Sequence, residues 1–329
     1  MQSKFYLASF IACFLCLNSF AQKKQNVYFL KDNGRYVDLK DSADYIRIIQ
    51  EPDSGSVLYH VLEYYPKGNI RLIGKTTTTN PVKLQGATVS FYLNKNKKRV
   101  VTYENGAIVG QIYDYYPNGK LYRSMEYLEW PKFNPTLPPP TEREEIVHGV
   151  FDSTGVQTVT DGNGHYSVFS EDYKEVEEEG ELVNGKRNGT WKGNVSKTQL
   201  RFIEDYADGK FIKGISTDAA GSIKNYTVKE ALPTFIGGER AFGQYLSNAI
   251  KYPLSAAQNN IQGKVILSFA VEKDGSLTDI KIISHVSKEI DAEAYRVISQ
   301  STRWNPGLQH GVPVKVSYTM PINFTIQGN

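Results

Sequence analysis

The chain has 329 residues, 40% of them hydrophobic and 22% charged, which is the composition of a folded protein rather than a disordered or fibrous one. Lys and Arg number 38 against 35 Asp and Glu, and a formal charge of +3 gives no electrostatic footprint for nucleic acid. With 22 Tyr and 27 Gly against 3 Met, the balance favours short strands and tight turns over a helical bundle.

In chain order, residues 1–21 come first. Lys4 supplies a positive start, Phe5 to Leu17 is apolar, and Ser19-Phe20-Ala21 ends in a small-x-small pattern before polar Gln22-Lys23-Lys24. That order is expected of a secretory signal peptide cut after Ala21. The alternative is a retained membrane anchor, for which the apolar stretch is short. A lipoprotein cut before Cys13 would leave almost no apolar region. Cys13 and Cys16 are the only cysteines, so a cleaved chain has neither disulfides nor thiolate metal sites.

Residues 22–129 form a Tyr/Gly-rich zone in which one unit occurs twice. Glu63-Tyr64-Tyr65-Pro66-Lys67-Gly68 and Asp114-Tyr115-Tyr116-Pro117-Asn118-Gly119 each read as strand, turn, strand. Pro presets the negative φ of a turn's first central residue, and Gly accepts the positive φ further on. Ala87–Tyr92 and Arg99–Tyr103 read as strands between them. Residues 130–145 carry Pro131, Pro135, Pro138, Pro139 and Pro140, which fit an extended linker or crossing loop and not a sheet interior.

Residues 146–228 resume the turn-rich pattern. Asn118-Gly119-Lys120, Asn184-Gly185-Lys186 and Asp208-Gly209-Lys210 repeat one element, and Asn-Gly or Asp-Gly between alternating hydrophobics marks hairpins. With Gly189-Thr190-Trp191, this zone weakly resembles the MORN-variant repeats over about 55–214. The tyrosines then read as sheet-building residues, or alternatively as a binding face.

The last hundred residues differ. Gly238–Ile250 has helical spacing with one apolar stripe, ended by Tyr252-Pro253. Pro253–Gln258 reads as a second short helix. Val265, Leu267, Phe269 and Val271 alternate as a strand, Lys273-Asp274-Gly275-Ser276 is a hairpin turn, and Leu277–Ser284 returns. Asp291–Ser301 is amphipathic. Val312 to Ile326 then reads as one long strand, with Val312, Val314, Val316, Tyr318, Met320, Ile322, Phe324 and Ile326 on one face. The expected fold is an α+β C-terminal domain, two helices on a three-stranded antiparallel sheet, after a mainly β, hairpin-repeat N-terminal region.

Residues 229–329 resemble the C-terminal domain of TonB energy transducers. The resemblance rests on Tyr252-Pro253, Gly263, Asp274-Gly275, Asp291-x-Glu293-Ala294, Trp304-x-Pro306-Gly307, Gly311-x-Pro313 and Pro321-x-x-Phe324. It implies a periplasmic module that takes an extended segment of an outer-membrane TonB-dependent receptor as a strand beside its own last strand. Inner-membrane motor proteins join the expected partners only if residues 1–21 are retained as an anchor in the inner membrane. No small-molecule cofactor is expected.

The residues themselves point to the same edge. Pro313 and Pro321 share strand parity, so their missing N–H groups fall on one lateral side, and core ladders rarely accept Pro. Lys315, Val316, Ser317, Tyr318 and Thr319 between them are the candidate docking residues, because an unpaired row of backbone groups is a template for a foreign strand. The other reading of the same feature is an edge guarded against aggregation by two prolines and a lysine.

No catalytic constellation emerges. His60, His148, His165, His285 and His310 are scattered without metal-ligand spacing, which suits surface or lightly buried roles, and there is no Gly-x-Ser-x-Gly elbow. The five glutamates within Glu175–Glu181 read as a solvated strand or loop. The expected function is non-enzymatic: a periplasmic TonB-family protein of outer-membrane transport. The alternative is a β-repeat scaffold for glycan or protein with the C-terminal module only as its dock; an antitoxin-like role is a third reading, against which the export signal argues.

Overall fold

The computed structural model describes residues 23–129 and 143–326. The expected signal peptide at 1–21 and the five prolines of the expected linker therefore lie outside the described residues. The chain divides into two compact units between Leu121 and Tyr122.

The first unit is a meander. Its strands are β1 (Gln25–Leu30), β2 (Tyr36–Val37), β3 (Tyr45–Gln50), β4 (Tyr59–Tyr64), β5 (Ile70–Thr79), β6 (Val82–Leu84), β7 (Gly86–Phe91), β8 (Lys97–Glu104) and β9 (Ala107–Tyr115). β1 pairs with β3, and β3–β4, β4–β5, β5–β7, β7–β8 and β8–β9 follow, all antiparallel. The Tyr-Tyr-Pro turns are alike: Gly68 N–H donates to Tyr65 O and Gly119 N–H to Tyr116 O, each at 2.8 Å. The acid that opens each unit is buried against arginine on a facing strand. Glu63 stands opposite Arg47, which donates to it from Nε at 2.9 Å, and also takes Arg71. Asp114 stands opposite Arg99, whose Nη2 donates at 3.0 Å.

The second unit opens with another antiparallel meander. It contains β10 (Leu121–Tyr127), β11 (Glu145–Phe151), β12 (Gln157–Thr160), β13 (Asn163–Phe169), β14 (Val176–Val183), β15 (Lys186–Val195), β16 (Leu200–Ala207), β17 (Lys210–Thr217) and β18 (Ile223–Tyr226). Each consecutive pair is hydrogen-bonded. A two-residue hairpin turn of type I′ needs positive φ at both central residues, and Asp161-Gly162, Asn184-Gly185 and Asp208-Gly209 supply it. The glutamate run 175–181 lies largely in β14, with Glu178 held bidentately by Arg187.

Tyrosine builds the interior of this meander. Tyr122, Tyr166, Trp191, Tyr206, Phe211 and Tyr226 form a ring-to-ring series with centroids 5.6–6.3 Å apart. All but Phe211 are buried. These rings build the core, and Tyr166, Tyr206 and Phe211 also line a cleft with Arg187 and Lys229.

The rest of the unit holds β19 (Thr234–Phe235), α1 (Gly238–Ala249), α2 (Leu254–Gln258), β20 (Gly263–Val271), β21 (Leu277–Ser284), α3 (Lys288–Ser299), β22 (Trp304–Asn305), β23 (Gly307–Gln309), β24 (Val312–Val314) and β25 (Val316–Phe324). β21, β20 and β25 form a three-stranded antiparallel sheet in that order. Ile290, Ala294 and Ile298 of α3 pack with Val265, Leu267, Phe269, Ile322 and Phe324 in one core. α1 adds Ala241, Phe242, Tyr245 and Leu246 as half-buried cover, and none of its residues is fully buried. Among the described residues of this domain the α-helices are three: α1 and α3 lie against the sheet core, and the short α2 falls where Pro253–Gln258 is expected to be helical. α3 starts at Lys288 rather than Asp291 because Ser287 caps it, its Oγ accepting from the Ile290 N–H at 3.3 Å.

The expected single strand 312–326 is two strands. β24 pairs with β23 in a separate hairpin, Pro313 facing Leu308, while β25 pairs with β20 from Val316 to Phe324. The alternation is the same in both pieces, so period alone cannot reveal the break at Lys315. A Cβ on Gly307 would come 2.5 Å from the Val316 side chain, so the hairpin can fold tightly over the start of β25 only with glycine there.

Candidate partner-binding edge

β25 forms nine consecutive pairs with β20, without a bulge. Its even residues face the core: Val316, Tyr318 and Met320 half-buried, Ile322 and Phe324 buried. The Tyr318 ring lies 5.8 Å from both Phe269 and Trp304. Ser317, Thr319, Pro321 and Asn323 are exposed. Burying Ile322 and Phe324 at roughly 1.5–3 kcal/mol each, with half-buried Tyr318 on the same face, fixes this register, since a one-residue slip would expose them all.

Register also decides which backbone groups are open. Pro321 stands opposite Ile266 in an unbroken ladder and has no N–H to give. In an antiparallel pair, alternate residues turn their N–H and C=O groups toward the partner or away from it. Pro321 therefore belongs to the outward set, together with Ser317 and Thr319. Val316 and Tyr318 belong to the inward set, their backbone groups engaged with β20. Because Pro313 lies in the other hairpin, the parity argument rests on Pro321 alone.

Among the described residues, no strand pairs with the far side of β25 or of β21. The two edges differ in shape. β21 meets β20 through two irregularities and carries Asp279 at φ 55° in its middle, a left-handed kink that twists an edge away from further pairing. β25 has no such interruption.

Of the five candidate residues, Ser317 and Thr319 thus supply the open backbone groups. Lys315 precedes the strand. Its ammonium reaches Glu272 at 2.7 Å and Asp279 at 3.0 Å across the sheet, instead of projecting from the edge. Its hydrogen bonds hold both carboxyls below their usual range.

The other motif residues build the frame behind this edge. Tyr252 Oη donates to Ile261 O at 2.6 Å and its ring meets Phe324, and Pro253 sits at the cap of α2. Lys251 N–H donates to Glu293 Oε1 at 2.6 Å, and Arg296 hydrogen-bonding to Glu293 keeps that carboxyl low. Gly263 opens β20 where a Cβ would approach Val286 to 2.9 Å. Asp274 accepts from the Ser276 hydroxyl and N–H to close the β20–β21 turn. Gly275 has φ 83°, and a Cβ there would lie 2.0 Å from Trp304 O. Its own carbonyl accepts from Trp304 N–H at 2.8 Å. Trp304 is buried against Phe235, Phe242, Phe269 and Tyr318. Pro306 joins β22 to β23, which begins at Gly307.

One expectation about the histidines fails. His310 is buried, and its Nδ1 donates to Glu204, a fully buried carboxylate. Their separation of 106 residues hides the pair from any motif. The readable signal is in Glu204 itself, which stands five residues before Gly209 as Glu63 stands before Gly68 and Asp114 before Gly119.

Residues 248–326 match the sequence model of the family described as Gram-negative bacterial TonB protein C-terminal. The solution structure of the Helicobacter pylori TonB C-terminal domain is similar at 26% identity, covering 26% of this chain and 78% of that one, with a TM-score of 0.21. No curated protein matches the chain.

Proposed function

We propose that this chain, which carries a TonB C-terminal domain at residues 248–326, acts in transport across the outer membrane by accepting an extended receptor segment as a strand beside β25. The observation that carries this reading is the one-sided pairing of β25: nine residues in register with β20, with Ser317 and Thr319 turned to a free edge. Each added backbone hydrogen bond contributes about 1 kcal/mol net, and side-chain contacts on alternate residues would set the choice of segment. The role is binding, without bond chemistry. It places the chain in the periplasm, exported by residues 1–21. Among the described residues no helix is long and apolar enough to cross a membrane.

The test is a photo-crosslinking amino acid at Thr319 of the full chain, exposed to outer membranes of the source bacterium. The expected adduct maps to an extended, periplasm-facing segment of an outer-membrane receptor. The same probe at exposed Lys281, on the kinked β21 edge, gives none. Equal labelling from both edges, or no receptor adduct from Thr319, contradicts the reading.

A further inference from the structure

The two meanders place a buried acid at the same turn position three times, twice in the first and once in the second, and the third is provided for differently. Glu63 and Asp114 each face an arginine directly across the ladder, Arg47 and Arg99. The residues directly across from Glu204 are Trp191 and Gly214, neither of which can neutralise a carboxylate. An unpaired carboxylate with no solvent exposure would be prohibitively costly.

The charge partners of Glu204 come from beyond the meander. Lys229 Nζ lies 3.3 Å from Oε2. His310 Nδ1 donates to Oε1 at 2.7 Å, while Tyr206 and Tyr226 donate their hydroxyl hydrogens at 2.6 and 2.7 Å. The His310 ring stacks on Phe202, centroids 3.8 Å apart. His310 and Gly311 form the β23–β24 turn with φ 47° and 70°. That is the left-handed pair Asn184-Gly185 and Asp208-Gly209 also adopt, so histidine here occupies a position that a turn alone would give to Asn or Asp. A Cβ on Gly311 would come 2.3 Å from the Tyr226 ring, and Gly311 N–H donates to Lys229 O at 3.0 Å. The bridge between Ala231 and Leu308 continues the seam.

We infer that Glu204 is the socket of a latch: the meander grips the β23–β24 hairpin through His310 and thereby holds in place the segment that enters β25 one residue later. The hairpin is only three residues a side, too short to persist alone in water. Backbone bonds to Lys229 and Ala231 hold one side of it, and the socket supplies the side-chain anchor that fixes its turn. Loosening the latch frees residues 307–314 and the start of β25 while the β20–β21 core stays folded. This inference is independent of whether β25 takes a foreign strand.

The test is hydrogen exchange by mass spectrometry on the full chain and its His310→Asn variant. Asn keeps the left-handed turn but is too short to reach Glu204, so it separates the turn from the latch. Exchange across 307–314 is expected to rise about tenfold or more, as for loss of a charge-assisted hydrogen bond, with residues 263–271 unchanged. Glu204→Gln should loosen the same segment, and adding His310→Asn to it should have little further effect. Unchanged exchange at 307–314 in His310→Asn overturns the inference, even if Glu204→Gln disturbs the meander itself. So does a rise that extends equally through 263–271.

Discussion

His310 Nδ1 lies 2.7 Å from the Oε1 atom of Glu204, a carboxylate with no solvent exposure, and the two residues belong to the C-terminal hairpin and the meander that packs on it. Burial alone would raise the Glu204 pKa. The hydrogen bond from His310, the charge of Lys229 and the hydroxyls of Tyr206 and Tyr226 outweigh it and bring the carboxyl down to about 2.

A pH dependence follows. A carboxyl whose folded pKa lies below its unfolded value adds stability that is complete above the unfolded value, near 4.5, and is lost as pH falls toward 2. The stabilisation at neutral pH is roughly 3 kcal/mol on that basis. Denaturant titration of the wild type and Glu204→Gln should show a gap of that order at pH 7 that closes between pH 4.5 and pH 2. A gap independent of pH would mean that ionised Glu204 is not what stabilises the joint.

Gly275→Ala should destabilise the C-terminal domain by about 2 kcal/mol or more. The residue would have to hold φ 83° and place a Cβ against the Trp304 carbonyl oxygen, while the Trp304 N–H donates to the carbonyl of residue 275. Because Trp304 sits in the aromatic core, its fluorescence reports the loss as a lower denaturation midpoint. Wild-type stability would show that the turn tolerates a different backbone.

Thr319→Pro separates folding from docking. The outward set already contains Pro321, so a second proline there removes an edge donor without removing a bond to β20. The thermal melt should stay within a few degrees of the wild type, while receptor crosslinking from a probe at Ser317 is lost. Tyr318→Pro, which deletes an inward donor, should unfold the sheet. Equal thermal damage from the two would mean that the Thr319 N–H is bonded to β20 and not turned outward.

Lys315→Ala tests the reading of its side chain. The carboxyl titrations of Glu272 and Asp279, followed by NMR, should both move upward toward ordinary values once the ammonium is gone, with little change in overall stability. Unmoved titrations would mean that Lys315 points elsewhere in solution.

Much of this architecture was legible because it is local. The stripe of α1, the alternation of β20, the Asp274-Gly275 turn and the Tyr-Tyr-Pro turns all depend on residues within a few positions of one another. What was hidden depends on partners far along the chain. Val312–Val314 and Val316–Phe324 share one alternation, and only their different mates, β23 and β20, divide them at Lys315. The buried role of His310 is set by Glu204 in another element. The tyrosines could have lined a surface or a core by composition alone; the ring series puts Tyr122, Tyr166, Tyr206 and Tyr226 in the core, while Tyr36 and Tyr295 are exposed.

The most direct measurement is residue-resolved amide exchange along β25 by NMR, on the full chain without any partner. Slow exchange at Tyr318, Met320 and Ile322 alternating with fast exchange at Ser317, Thr319 and Asn323 is the predicted pattern, the fast set being the groups a receptor strand would protect. Slow exchange at Ser317 and Thr319 in the isolated protein would show the edge already taken, and the proposed mode of binding would be wrong.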